Sequence, residues 1–319
     1  MPNIFFITIE LLIYFLFAVC LAHARRQSWA AIWQLTAGAI FGLLLEWYTI
    51  QQFNLYTYGR FLFMLGEVPL AVGVAWGVII YSARQFSDTT SLPEWARPVL
   101  DGLLALNIDL SMDAIAIRLG FWHWGIGINQ QYFGVPYGNF WAWFWVVFFF
   151  SAGLRLLTRW NYFLGSITTP LGAVVIGVAG IVGMDYLMST NGSYQVYQIT
   201  IACVLIGALL LILTLRPKLH IRSEPVLTAW VPGVFHVYFF AAGLISGIAL
   251  RRPILLVVSL AMIVVAALLH WKRPASQTTA PAMAISMACP INQPNNKPKL
   301  AVETESNPST KAPHVSPPI

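Results

Sequence analysis

Of 319 residues, 58% are hydrophobic and only 9% are charged, and the mean hydropathy is +0.70. Soluble domains carry about 25% charged residues, so the composition excludes that class and points to an all-α, polytopic membrane bundle. The net charge of +6 rests on bases at the ends of apolar runs and in the C-terminal segment. That pattern reads as a topology signal and not as a nucleic-acid footprint.

Nine helical spans are expected, at roughly 4–23, 29–50, 61–83, 98–119, 137–158, 166–188, 195–215, 231–250 and 253–271, and seven to nine of them cross the membrane. These runs lack the alternation of a β-barrel. The first mimics a signal peptide at Ala22-His23-Ala24, but no base precedes it and Arg25-Arg26 follow directly, so a retained span is expected. Arg25, Arg26, Arg84, Arg97, Arg155, Arg159, Arg216, Lys218, Arg222, Lys272 and Arg273 fall on one side, against Arg60, Arg118, Arg251 and Arg252 on the other. The positive-inside rule then places the N-terminus outside and the C-terminus in the cytoplasm, unless the last two spans form one re-entrant element. From 274 to 319 the chain turns to Pro, Ser, Thr, Asn, Gln and Lys, the composition of a disordered tail. Cys20, Cys203 and Cys289 have no ligand spacing, so neither a zinc site nor a disulfide framework is read.

The acids inside the spans carry most of the functional information. Asp109 and Asp113 are four apart and share a helix face deep in span four, where a carboxylate is expensive. Glu67 stands in Gly66-Glu67-Val68-Pro69, where the proline is expected to break span three beside a cavity. Glu46 and Asp185 lie near span ends, where an acid also reaches the interface. Asp101, four residues from Arg97, reads as a surface pair, and Glu10 stands apart in span one. Burial disfavours the charged form of a carboxyl, and a neighbouring carboxylate disfavours it further, so a pair can hold one acid protonated and one ionised. General acid–base catalysis needs that arrangement, and so does a proton-coupled transporter.

A loop rich in polar and aromatic groups follows the acids: Phe121-Trp122-His123-Trp124, Asn129, then Gln131-Tyr132-Phe133-Gly134-Val135-Pro136-Tyr137-Gly138-Asn139 and on to Trp143. An interfacial aromatic belt accounts for some of the tryptophans. The polar groups and the Gly-Val-Pro turn fit a cavity wall better, and aromatic faces can hold a developing cation.

The run from Asp109-Leu-Ser-Met-Asp113 through Gly120-Phe-Trp122-His-Trp124 to Tyr132-Phe-Gly134-Val-Pro136 and Asn139-Phe140-Trp-Ala-Trp143 resembles the carotenoid biosynthesis membrane-protein family, which includes carotenoid hydratases of bacteria and haloarchaea. Glu46-Trp47, Glu67-Val-Pro69 and Trp76 also fit, and the likeness covers roughly residues 40–190. The family pattern usually has Asp-Pro where this chain has Asp113-Ala114, and Gly where it has Ala142. The resemblance implies hydration of a terminal C=C of an acyclic carotenoid, or a related isoprenoid lipid, without a cofactor. Other carotenoid-biosynthesis enzymes are then candidate partners. Asp113 or Asp109 would be the acid, and the other aspartate or Glu67 would activate water. Glu46, Trp122, His123, Trp124, Tyr132, Asn139 and Trp143 would line the substrate site. Another isoprenoid-modifying enzyme and a proton-coupled transporter remain the alternatives.

Overall fold

The computed structural model describes residues 3–53, 55–159, 161–190, 193–218 and 226–270. The expected tail, with Cys289, lies outside the described residues. The helices are α1 (Ile4–Gln27), α2 (Trp29–Phe53), α3 (Leu70–Asp88), α4 (Arg97–Ala116), α5 (Tyr137–Thr158), α6 (Asn161–Thr190), α7 (Tyr194–Leu215), α8 (Leu227–Ile245), the single turn α9 (Ile248–Arg251) and α10 (Pro253–His270). The chain thus forms the expected all-α polytopic bundle. Seven described helices, all but α3, α4 and α9, are long and apolar enough to cross a membrane.

The two long helices left out of that set are the most polar, and they are innermost. Helix α3 buries Ser82, Arg84 and Ser87, and α4 buries Asp101, Asn107, Asp109, Ser111 and Asp113. Helix α3 packs on α1, α2, α4 and α8, and α4 packs on α5, α8 and α10. By contrast α7 and α10 bury few residues and turn Leu, Ile and Val side chains outward. Apolar helices wrapped around polar ones is the order a lipid solvent demands.

Successive helices run in opposite directions, so the bundle has two ends. The segments 54–69, 120–136 and 246–252 meet at one, where Arg252 donates to Asn129 Oδ1 at 2.7 Å. At the other, Ser91 and Lys218 exchange two hydrogen bonds of 2.9 and 2.8 Å. Helices α8 and α10 are separate helices of 19 and 18 residues, each long and apolar enough to cross a membrane.

Span three differs from expectation. Residues 61–69 are not helical: β2 (Met64–Leu65) and β3 (Val68–Pro69) pair as a small antiparallel hairpin around Gly66. Pro69 does not break α3 but caps its start, where a missing N–H costs nothing. Glu10 ties this apolar run down. It is fully buried in α1, and its carboxylate accepts from the backbone N–H of Leu62 at 2.7 Å, of Phe63 at 3.0 Å and from the Tyr14 hydroxyl at 2.8 Å. Those amides need a partner at this depth, and Glu10 supplies it.

Asp101 also departs from its expected role. It is fully buried and pairs with Arg155 of α5 at 2.6 Å, with the Ser151 hydroxyl as a second donor. Arg97 turns instead to Asp88, 3.3 Å away. The i,i+4 spacing was available, but the helix face carrying Asp101 points inward.

Candidate active site

Helix α4 sets the site. Asp109 and Asp113 lie one turn apart on its inner face, 0% and 1% exposed. Opposite them, the first turn of α5 presents Asn139. Its Nδ2 lies 3.2 and 3.0 Å from the two oxygens of Asp109 and 2.6 Å from Asp113 Oδ2. An amide nitrogen carries two hydrogens, so three acceptor oxygens exceed what it can supply. The other Asp113 oxygen, Oδ1, is buried without a hydrogen-bond partner among the described residues.

The loop that delivers Asn139 is tied to the end of α4. Gly120, at φ +82°, ends the α4 turn in the left-handed conformation that glycine favours. Arg118 then pins the returning chain, donating to the carbonyls of Ala114 (2.7 Å), Phe133 (2.8 Å) and Ile128 (2.9 Å). Pro136 opens α5 in an extended conformation, which puts Asn139 in its first turn. Sequence reading had counted Arg118 only as a topology charge; its signal was a lone base between the acids and the loop.

Helix α2 contributes Glu46, 7% exposed. Its Oε2 accepts from Tyr56 in a short contact and from Tyr58 at 2.7 Å, and its Oε1 accepts from the Trp76 indole at 2.8 Å. Gly42 makes the last bond possible: a Cβ there would stand 2.5 Å from the Trp76 Cβ, so the glycine lets α3 bring the indole down onto α2. Burial first, and then the Glu46 charge, push the Tyr56 and Tyr58 hydroxyls well above the ordinary phenol range. Both stay protonated and serve as donors. Neither tyrosine was singled out from sequence, although Tyr-x-Tyr-Gly following an intramembrane acid was the available signal. Tyr58 is held by β1 (Thr57–Tyr58), which pairs antiparallel with β4 (Trp122–His123).

These groups surround a cavity of about 680 Å³ that is partly open to its surroundings. Glu46, Asp113 and Asn139 line it, as do the indoles of Trp76, Trp122, Trp124 and Trp143. Trp76 and Trp143 pack 4.4 Å apart, and Trp124 meets Tyr56 at 4.6 Å. Among the described residues no Lys, Arg or His stands in the lining. Asp109 is held against the same amide but does not line the cavity. Among the described residues no group of three His, Cys, Asp or Glu side chains is placed to hold a metal ion.

Besides Asp109, three expected site residues do not line the cavity. Glu67 is exposed in the hairpin turn and accepts from Gln51 at 3.2 Å. His123 is exposed on β4, opposite Thr57. Tyr132 packs on Phe140 with ring centroids 4.9 Å apart and donates to the Leu110 carbonyl at 2.8 Å. That carbonyl is the one a proline at position 114 would leave without its helical donor. The departure at Ala114 therefore leaves α4 regular and its proline-compatible cap in place. Asp185 is exposed on α6 and lines a second cavity instead.

Neither a curated protein nor a solved structure matches the chain. A family model described as carotenoid biosynthesis protein matches residues 3–214, a stretch that holds the acids, their amide and all four indoles of the cavity. With that match covering more than half of its length, the chain belongs to the carotenoid biosynthesis protein family, and carotenoid biosynthesis in a membrane is its setting.

Proposed function

We propose that the chain is a carotenoid hydratase, adding water to the terminal C=C of an acyclic carotenoid end group. One observation carries this reading: two buried carboxylates held by one neutral amide, at the wall of an aromatic chamber whose described lining has no basic side chain. Two negative charges so close, with no cation to offset them, are better held as one charge and one proton. Asp113, which lines the chamber, is then the proton donor, and Asp109 is the partner that keeps the proton available.

The reaction balances with water alone. The Asp113 carboxyl transfers H⁺ to the less substituted alkene carbon, and the π pair becomes the new C–H bond. The tertiary cation left behind sits among indole and phenol faces, whose quadrupoles favour positive charge. Water adds through oxygen and loses a proton to Glu46, in the place once assigned to Glu67. Return of that proton to the aspartate pair through water completes the cycle. The addition is redox-neutral, and general acid–base catalysis of this kind contributes about 10²–10⁴-fold.

The test is pigment analysis in a bacterium that accumulates lycopene. A pigment heavier by one water, lost in Asp113→Asn with the protein still in the membrane, is the expected outcome. Unchanged pigments with wild-type protein present would overturn the assignment.

A further inference from the structure

The chamber has two unlike halves. Six of its lining residues, Glu46, Tyr56, Trp76, Trp124, Asn139 and Trp143, also line a second cavity of about 1500 Å³ that extends to α6 and α7. All six belong to the polar and aromatic half. The remainder of the chamber is largely aliphatic and phenyl: Ile9 and Ile13 from α1, Met112 from α4, Phe121, and Phe235 and Phe239 from α8. A linear substrate reaching the acids from the larger cavity therefore ends in an apolar cup.

Helix α8 closes that cup. Phe235 and Phe239 are one turn apart on α8, 3% and 2% exposed, and both line the chamber. The Phe239 ring meets Phe121 at 6.0 Å, and Phe121 is backed in turn by Phe6 at 4.7 Å and Phe61 at 5.7 Å. The floor is thus several rings deep. Phe235 and Phe239 lie beyond residues 3–214, the stretch that the family model matches, whereas Phe6, Phe61 and Phe121 lie within it. The acids come from the matched part of the chain, and α8 adds two rings from outside it.

We infer that Phe235 and Phe239 set end-group selectivity, by limiting how far a substrate terminus passes Asp113. A slim branched terminus such as an isopropylidene group fits the cup, and a six-membered ring does not. The inference rests on the hydratase reading for the identity of the substrate, but its readout is binding and does not require turnover.

The experiment is to express the protein in cells accumulating either lycopene or its ring-ended counterpart β-carotene, purify it in detergent, and measure pigment retained per protein by absorbance. Pocket discrimination of this kind is worth about 10-fold or more, so wild type should retain the linear pigment over the ringed one by at least that ratio. Phe239→Ala should bring the ratio towards one. Phe239→Leu, which disturbs packing less, should shift it the same way by a smaller factor, and serves if the alanine variant does not fold. Ile13→Phe should fill the cup and lower retention of the linear pigment. Equal retention of both pigments by wild type, or a ratio unmoved in both Phe239 variants, overturns the inference. A protein that retains linear pigment selectively and forms no hydrate removes the reaction proposed above and leaves the cup standing. Retention of neither pigment overturns the inference, and the reaction is then judged by the hydrate assay alone.

Discussion

Two buried carboxylate clusters join α4 to α5, one at each end of the bundle, and they are balanced in opposite ways. At one end Asp101 meets Arg155, which also holds Asp88 at 3.0 Å and the Ser87 hydroxyl at 2.7 Å, with Arg84 and Arg97 close by. At the other end, among the described residues, Asp109 and Asp113 share the Asn139 amide as their donor, and the donors to Glu46 are two phenols and an indole. Where arginine supplies the counter-charge, the cluster is fixed and its work is to hold helices together. Where only neutral donors are present, the available counter-charge is a proton, and a proton can be transferred. The same side chain on the same helix thus serves structure at position 101 and, on the reading proposed above, chemistry at position 113.

The most severe test of that contrast is one substitution made at both ends. Asp113→Asn is expected to lower hydration by about 10²–10⁴-fold while the melting temperature in detergent holds, since a neutral amide of nearly the same shape replaces a protonated acid. Full activity in that variant would break the comparison. Asp101→Asn should do the reverse, leaving Arg155 short of its partner at a cost of about 3–5 kcal/mol, with hydration per folded molecule unchanged. Loss of activity in it without loss of stability would show that the arginine end is not merely structural.

A smaller effect sharpens the view of α4 itself. Tyr132→Phe removes one bond to the Leu110 carbonyl and should cost about 0.5–1.5 kcal/mol in thermal unfolding. Combined with Ala114→Pro, which takes away that carbonyl's helical donor, the same change should cost more than the two single effects added. Strict additivity would sink the capping role given to Tyr132. Smallest of all is the exposed pair of Arg159 and Glu94, 2.6 Å apart. The Arg159 hydrogen bond holds the Glu94 carboxyl below its ordinary value, so its contribution is present above the ordinary value and fades as pH falls through the lowered one. Melts of Arg159→Ala against wild type from neutral to acid pH should differ little, and only at the higher pH.

Much of the fold was legible because hydrophobic length is a local property. Eight of the nine expected spans correspond to long helices with ends displaced by a few residues. The shared face of Asp109 and Asp113 followed from spacing alone, and the Gly-Val-Pro turn that delivers Asn139 was visible as a turn. What could not be read were partners distant in sequence. Phe61-Leu-Phe-Met-Leu65 has the composition of a helix, and in its extended form it is tied to Glu10, more than fifty residues away. Arg97 looked like the natural partner of Asp101 because it is four residues off, whereas the true partner arrives on the next helix. Glu67 stands out in sequence because Pro69 is beside it, a local signal that Glu46 lacks. The donors that bring Glu46 into the cavity wall, Tyr56, Tyr58 and Trp76, sit on other segments.

The clamp made by Glu10 also bears on how the chain is made. During synthesis α1 reaches the membrane well before Leu62 and Phe63 leave the ribosome, so for that interval its carboxylate has only Tyr14, on its own helix, as the hydrogen-bond partner it keeps in the finished bundle. A charged or half-satisfied acid in an isolated span is costly to hold in lipid. The first helix is therefore the least self-sufficient at the moment it must insert, and it becomes secure only when the hairpin closes on it. Released chains truncated before residue 62 should slip from the bilayer more readily than released chains truncated after residue 70, and replacing Glu10 with leucine should erase that difference.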